Sequence, residues 1–309
     1  LALWAVNNVG DKAQDLMGHV SPWFYNAYYL IGCSFIAMGS TLPKSAATTH
    51  EMAIQPLFPN VPIWVTVIVF FVLVYFFACD PNSVIDKLGK YMTPILVILL
   101  AIVLIKGVIS PVGTPVDTGI DNAFGDAILT AYNTGDLTVG IMFARVILLD
   151  LRRRGYTGAE SKKGGYMAGV VSIVVLFAVY GTLTYIGACA SGVYSQDTPQ
   201  TVLLSGIIQS IMGPVGMACL GGAVALACLT TAVGIGTTCV GFFYDFFKRK
   251  IPYKVLVLIA CIIGIFMGIT GVQNIVNYVT PIFLVVYPAL IVNTVLGLLN
   301  KYLPNDGFY

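Results

Sequence analysis

Three residues in the run Leu226-Ala-Cys-Leu-Thr-Thr-Ala-Val-Gly-Ile-Gly-Thr-Thr238 have the types and spacing to bind an ion. On a helix, Ala227, Thr230 and Thr231 stand at i, i+3 and i+4, so one carbonyl and two hydroxyls share a side. Hard cations take oxygen ligands, and the small side chain of Ala227 leaves its carbonyl open. The same residues also fit plain packing. Small residues let helix backbones approach in a membrane, and hydroxyls bond back to the preceding turn. Spacing alone leaves both readings standing.

A second group, Ala131-Tyr-Asn-Thr-Gly-Asp-Leu137, places Gly135 and Asp136 inside an otherwise apolar segment. Non-helical backbone at membrane depth survives only where it is buried in protein or lines a cavity. Broken helices there can meet an anionic substrate group with one helix end and a cation with unwound carbonyls. The other reading makes Asp136 the true start of the span, preceded by loop. Arg145 lies further along the same segment, and an intramembrane charge is expensive unless it faces a partner or water. It can snorkel to the cytoplasmic end, with Glu51 on another helix as the alternative partner.

Composition sets the elements that position these residues. The chain has 309 residues, 58% apolar and only 10% charged, with a mean hydropathy of +0.88, whereas soluble domains carry about 25% charged residues. The expected fold class is an all-α polytopic membrane bundle. A net charge of +2 and the lack of a Gly-rich phosphate loop after a strand speak against nucleic-acid or nucleotide partners. The histidines, His19 and His50, fall in loops on opposite sides and no HExxH occurs, which argues against an enzyme. The cysteines form no close-spaced pairs and read as packing residues, so no cofactor is expected.

Taken in order, Leu1 to Val9 is too short to cross a bilayer and reads as the tail of a helix that begins earlier. Complete spans are expected over 24–42, 62–79, 88–109, 124–150, 166–188, 215–244, 255–272 and 275–299. Pro43 is expected to end the first of them, with Lys44 to Glu51 as an outer loop. The segment Thr198 to Met212 reads as a short amphipathic outer helix, and residues 300–309 as a cytoplasmic tail. If the loops alternate, thirteen of the sixteen cations lie on one side, two (Lys44 and Lys106) on the other, and Arg145 within a span. Lys and Arg are retained in the cytoplasm, so the span from Phe24 runs outward.

Four stretches, Ser40–Ile54, Tyr132–Thr157, Leu226–Phe243 and Thr280–Leu298, resemble those of the branched-chain amino acid:cation symporter family, the BrnQ type. Where that family has Pro-Arg-Thr-Ala-Thr and a Glu soon after, this chain has Pro43-Lys-Ser-Ala-Ala-Thr-Thr-His-Glu51. The family's Tyr-x-Thr-Met-Asp motif reads Tyr132-Asn-Thr-Gly-Asp136, its Cys-Leu-Thr-Thr-Ala stretch is Cys228 to Ala232, and its Tyr-Pro pair is Tyr287-Pro288.

The resemblance implies a LeuT-type inverted repeat forming a single transmembrane domain over 1–309. Residues 1–9 would be the end of the second helix, 23–109 the third to fifth, and 123–299 the sixth to tenth. It implies sodium at Ala227, Thr230 and Thr231, and an amino-acid substrate at Tyr132, Asn133, Thr134, Gly135 and Asp136, with Gly39 and Thr41 lining the same cavity. The implied function is sodium-coupled import of leucine, isoleucine and valine across a bacterial plasma membrane, with lipid as the surroundings. A non-transporting relative of the same fold, or a symporter for another small amino acid, is the alternative. The chain departs from the family in three ways: Gly135 replaces Met, Arg145 stands where the family has a small residue, and the first, eleventh and twelfth helices have no counterpart. The last suggests a truncated chain.

Overall fold

The computed structural model describes residues 2–9, 22–79, 92–117, 119, 121–133, 136–153, 155–156, 158–195 and 198–302. Among these, every regular element is helical. Helix α1 is Ala2–Val9 and α2 is Pro22–Ile31, which continues as π-helix over Gly32–Thr41, then as α3, Leu42–Thr49, and again as π-helix over His50–Ile54. Then come α4 (Ile63–Ala78), α5 (Thr93–Ile109), α6 (Ala123–Asn133), α7 (Asp136–Arg153), α8 (Gly158–Ala190), α9 (Gln200–Phe246), α10 (Tyr253–Gly268) and α11 (Val272–Leu299). A 3-10 turn, Asn300–Tyr302, follows.

Glu160–Ala190 and Gln200–Phe246 are each long and apolar enough to cross a membrane. Tyr253–Gly268 and Val272–Pro281 meet that test only as a pair, bent by 108° at the intervening turn. Ile63–Ala78, Thr93–Ile109 and Leu284–Leu299 are shorter apolar helices. Large apolar side chains point outward, with Phe177 80%, Phe76 74% and Phe266 74% exposed, while Ser45, Thr49, His50 and Thr66 are buried. Water would penalise so much exposed apolar surface; lipid does not.

The chain forms two compact units, one of Leu1–Ala37, Ala123–Val175 and Asn277–Tyr309, the other of Met38–Asn122 and Leu176–Val276. In the second, α9 is the central element. Met52 and Val103 pack with Ile208, Met217 and Leu220 of α9, and Ile186 and Ala190 pack with Ile207. Helix α9 breaks at Gly213, whose φ of 59° and ψ of −150° fall in a region open almost only to glycine. Pro214 follows without an N–H to continue the ladder. The break divides the helix where the sequence pattern changes from a short amphipathic segment to a long span.

The expected interruption at Pro43 is not found: the helix runs on through residues 44–51, which are helical rather than loop. The reason is local. The turns before Pro43 are π-helical, wider than α-turns, and Pro43 falls in the first turn of the α-helical stretch that follows, where a missing N–H is tolerated.

In the first unit, α1 packs on α7 through Ala5, Val6, Ala144 and Leu148. The Asn7 amide donates to the Lys162 carbonyl at 2.9 Å and the Asn8 amide to the Leu298 carbonyl at 3.3 Å. Glycines of α8 make room for this helix. A Cβ at Gly165 would stand 3.0 Å from Asn7 Nδ2, and one at Gly169 would run into the Trp4 indole at 2.1 Å.

Candidate functional site

The Ala227, Thr230, Thr231 triple lies on an unbroken stretch of α9, with all three residues half-buried. The Thr230 hydroxyl donates to the Ala227 carbonyl at 2.9 Å, so its hydrogen is committed and its lone pairs face away from the backbone. Other hydroxyls of this helix bond backward in the same manner: Ser205 to Thr201, Ser210 to Gly206, Thr237 to Val233 and Thr238 to Gly234. Such back-bonding is how a helix satisfies a hydroxyl without water. Among the described residues, the Thr231 hydroxyl makes no hydrogen bond at all. Thr231 as a residue is half-buried, and it stands beside Thr230, whose hydrogen is already committed.

The Tyr132–Asp136 group is in the other unit. Helix α6 ends at Asn133 and α7 starts at Asp136, while Thr134 and Gly135 lie outside the described residues. Tyr132 is half-buried and meets Tyr287 of α11 edge to face, with ring centroids 4.8 Å apart. The Tyr287 hydroxyl accepts the Leu137 N–H at 3.3 Å. That N–H is one of the four at a helix start that have no partner within the helix, so Tyr287 both braces Tyr132 and caps α7. In the sequence Tyr287 stood out only through the Tyr-Pro resemblance, 150 residues from Leu137.

Gly39 and Thr41 sit in the π-helical stretch Gly32–Thr41, where the Thr41 carbonyl accepts the Ser45 hydroxyl at 2.7 Å. They share a unit with the triple. The α3 helix packs on α9, with Leu42 Cδ2 3.6 Å from where a Gly236 Cβ would stand. The π-helix that follows carries His50, whose Nδ1 is 2.9 Å from the Thr66 hydroxyl. Next to it is Glu51, weighed above as a partner for Arg145. Its carboxylate has other partners: Oε2 accepts the Thr201 hydroxyl at 3.0 Å and Oε1 the Val272 N–H at 3.1 Å. Glu51 also lines a cavity of about 750 Å³ with Lys44, His50, Gln55, Thr201 and Gln273.

Long apolar helices with outward-facing apolar side chains fit a membrane helix bundle. The chain belongs to the branched-chain amino acid transport protein family, whose model matches residues 1–308. It is 26% identical over 312 residues to the branched-chain amino acid permease BraB of Bacillus subtilis, covering 97% of this chain and 69% of that one. A Staphylococcus saprophyticus protein provisionally named a branched-chain amino acid carrier is 27% identical over 306 residues, covering 93% of this chain and 68% of that one. No solved structure matches the chain. Membership makes it a membrane transport protein and not an enzyme.

Proposed function

We propose that the protein imports leucine, isoleucine and valine together with sodium across a bacterial plasma membrane by alternating access, within a single transmembrane domain of LeuT-type architecture. The family and the permease relative support the substrate class. The observation that carries the coupling ion is the Thr231 hydroxyl. It lacks a hydrogen-bond partner among the described residues in a helix where neighbouring hydroxyls are satisfied, and it stands one residue from Thr230, whose hydrogen is held by Ala227. Two hydroxyl oxygens and the adjacent carbonyl suit a hard cation. The substrate's charged ends would meet Tyr132, Asn133, Thr134, Gly135 and Asp136, and Gly39 and Thr41 are the further residues proposed to contact it. The helix starting at Asp136 would offer its free N–H groups to the carboxylate.

Uptake of labelled leucine into vesicles tests this. An inward sodium gradient should drive accumulation above equilibrium, and potassium in its place should not. Equal accumulation in both media would remove sodium from the mechanism, and no uptake in either would favour the non-transporting relative. Tyr287→Phe deletes the acceptor for the Leu137 N–H, and a neutral hydrogen bond contributes about 1 kcal/mol. Leucine KM is therefore expected to rise about fivefold with protein level unchanged; an unchanged KM would detach Tyr287 from the substrate site.

A further inference from the structure

Two helix starts in the second unit are tied to one carboxylate from a third helix. The turn between α10 and α11 carries Gly271 at φ +84°, the left-handed region that suits glycine, and it turns the chain through 108°. A helix start exposes N–H groups that a Ser, Thr, Asp or Asn at the preceding position would normally satisfy. Gly271 has no side chain to do this, and the Thr270 hydroxyl donates backward to the Met267 carbonyl at 2.6 Å. The cap for Val272 comes instead from Glu51, 221 residues away in sequence. Negative charge is favoured at that end of a helix. The other carboxylate oxygen accepts the hydroxyl of Thr201, the second residue of α9.

We infer that Glu51 is a positioning residue for transport. Its carboxylate fixes the direction in which α11 leaves the α10 turn, and it holds that turn against the start of α9 across the cavity that all three segments line. The chain passes from one compact unit to the other at Val276–Asn277, about one turn beyond the tethered N–H. A carrier that works by moving one helix bundle against another needs such an exit held in a defined direction. Glu51 would act through these helices and not by touching substrate. This role rests on the transport reading above.

Uptake kinetics and amide hydrogen exchange on the full chain, for wild type, Glu51→Ala, Glu51→Gln and Thr201→Val, test the inference. Glu51→Ala should lower the maximal uptake rate about tenfold while leucine KM stays within about twofold, the pattern of a lost step rather than lost binding. It should also speed exchange around Val272 about tenfold. Glu51→Gln keeps an oxygen acceptor for Val272 and should stay within about threefold of wild type on both readouts. Thr201→Val, which keeps the Val272 bond, should lower the rate about threefold without changing exchange there. If Glu51→Ala does not reach the membrane, the other two variants decide. An effect on KM alone, a Gln variant as impaired as Ala, or a Thr201→Val variant indistinguishable from wild type would each overturn the positioning role. Failure of the wild type to take up leucine would refute the transport reading instead, and the exchange rates would still report whether Glu51 holds α11.

Discussion

Alanine at both Thr230 and Thr231 should raise the sodium concentration for half-maximal leucine uptake about 100-fold, because each lost oxygen ligand is worth about tenfold, or 1.4 kcal/mol. The two singles should differ. Thr230 presents lone pairs while its hydrogen stays on the Ala227 carbonyl, so its removal also changes the partner of a third oxygen. Thr231 contributes a hydroxyl with no competing hydrogen bond among the described residues. Thr231→Ser should stay within about threefold of wild type, and Thr231→Val, close in shape but without the hydroxyl, should behave like Ala. The figure of about 100-fold takes the two losses as independent; coupling between ligands of one site would show as a departure of the double variant from the product of the singles. Linkage adds a second check: in the wild type and in each variant, sodium should raise leucine affinity by the same factor by which leucine raises sodium affinity. A sodium titration of uptake at equal protein level measures all of this. An unchanged half-saturating sodium concentration in the double variant would return the triple to helix packing.

What the amino-acid order reveals here depends on the range of the interaction. The apolar runs read at 62–79, 88–109, 166–188 and 215–244 fall on the helices α4, α5, α8 and the main part of α9, because an apolar run must satisfy its own backbone polar groups in a helix; of these four, α8 and α9 alone are long enough to cross a membrane. The break at Gly213-Pro214, between the short segment Thr198 to Met212 and the long span, is legible for a similar local reason. Pro43 misleads because widening a helix into π-turns changes which carbonyl each N–H meets, and residue type scarcely encodes that shift. Thr230 and Thr231 are the same residue type in adjacent positions, yet only one bonds backward. Glu51 is the extreme case, since its partners are 150 and 221 positions away and neither is an ion-pair candidate that charge pattern could suggest.

Gly264→Ala is expected to destabilise the second unit by about 1–3 kcal/mol, the usual range for forcing extra volume into a packed contact. Gly264 and Gly268, four residues apart on α10, form a smooth strip against Phe71 and Val67 of α4. In lipid, helices are held by such close packing more than by any hydrophobic drive. A Cβ at Gly264 would stand 2.2 Å from Phe71 Cζ and 2.5 Å from Cε1, and one at Gly268 would lie 3.1 Å from Val67 Cγ1. The Phe71 ring cannot swing aside cheaply, because it is 1% exposed and meets Phe70 edge to face at 5.6 Å. The thermal midpoint of detergent-purified protein should therefore drop by several degrees for Gly264→Ala, and Gly264→Leu should leave little folded protein to measure. Gly181→Ala, where a Cβ meets nothing within 4 Å, controls for the change of residue type in a helix. Phe71→Leu shortens the side chain at the contact and should restore part of the loss when combined with Gly264→Ala, with a coupling of about 1–2 kcal/mol. Strictly additive effects of the two substitutions would mean that the strip does not hold α10 to α4.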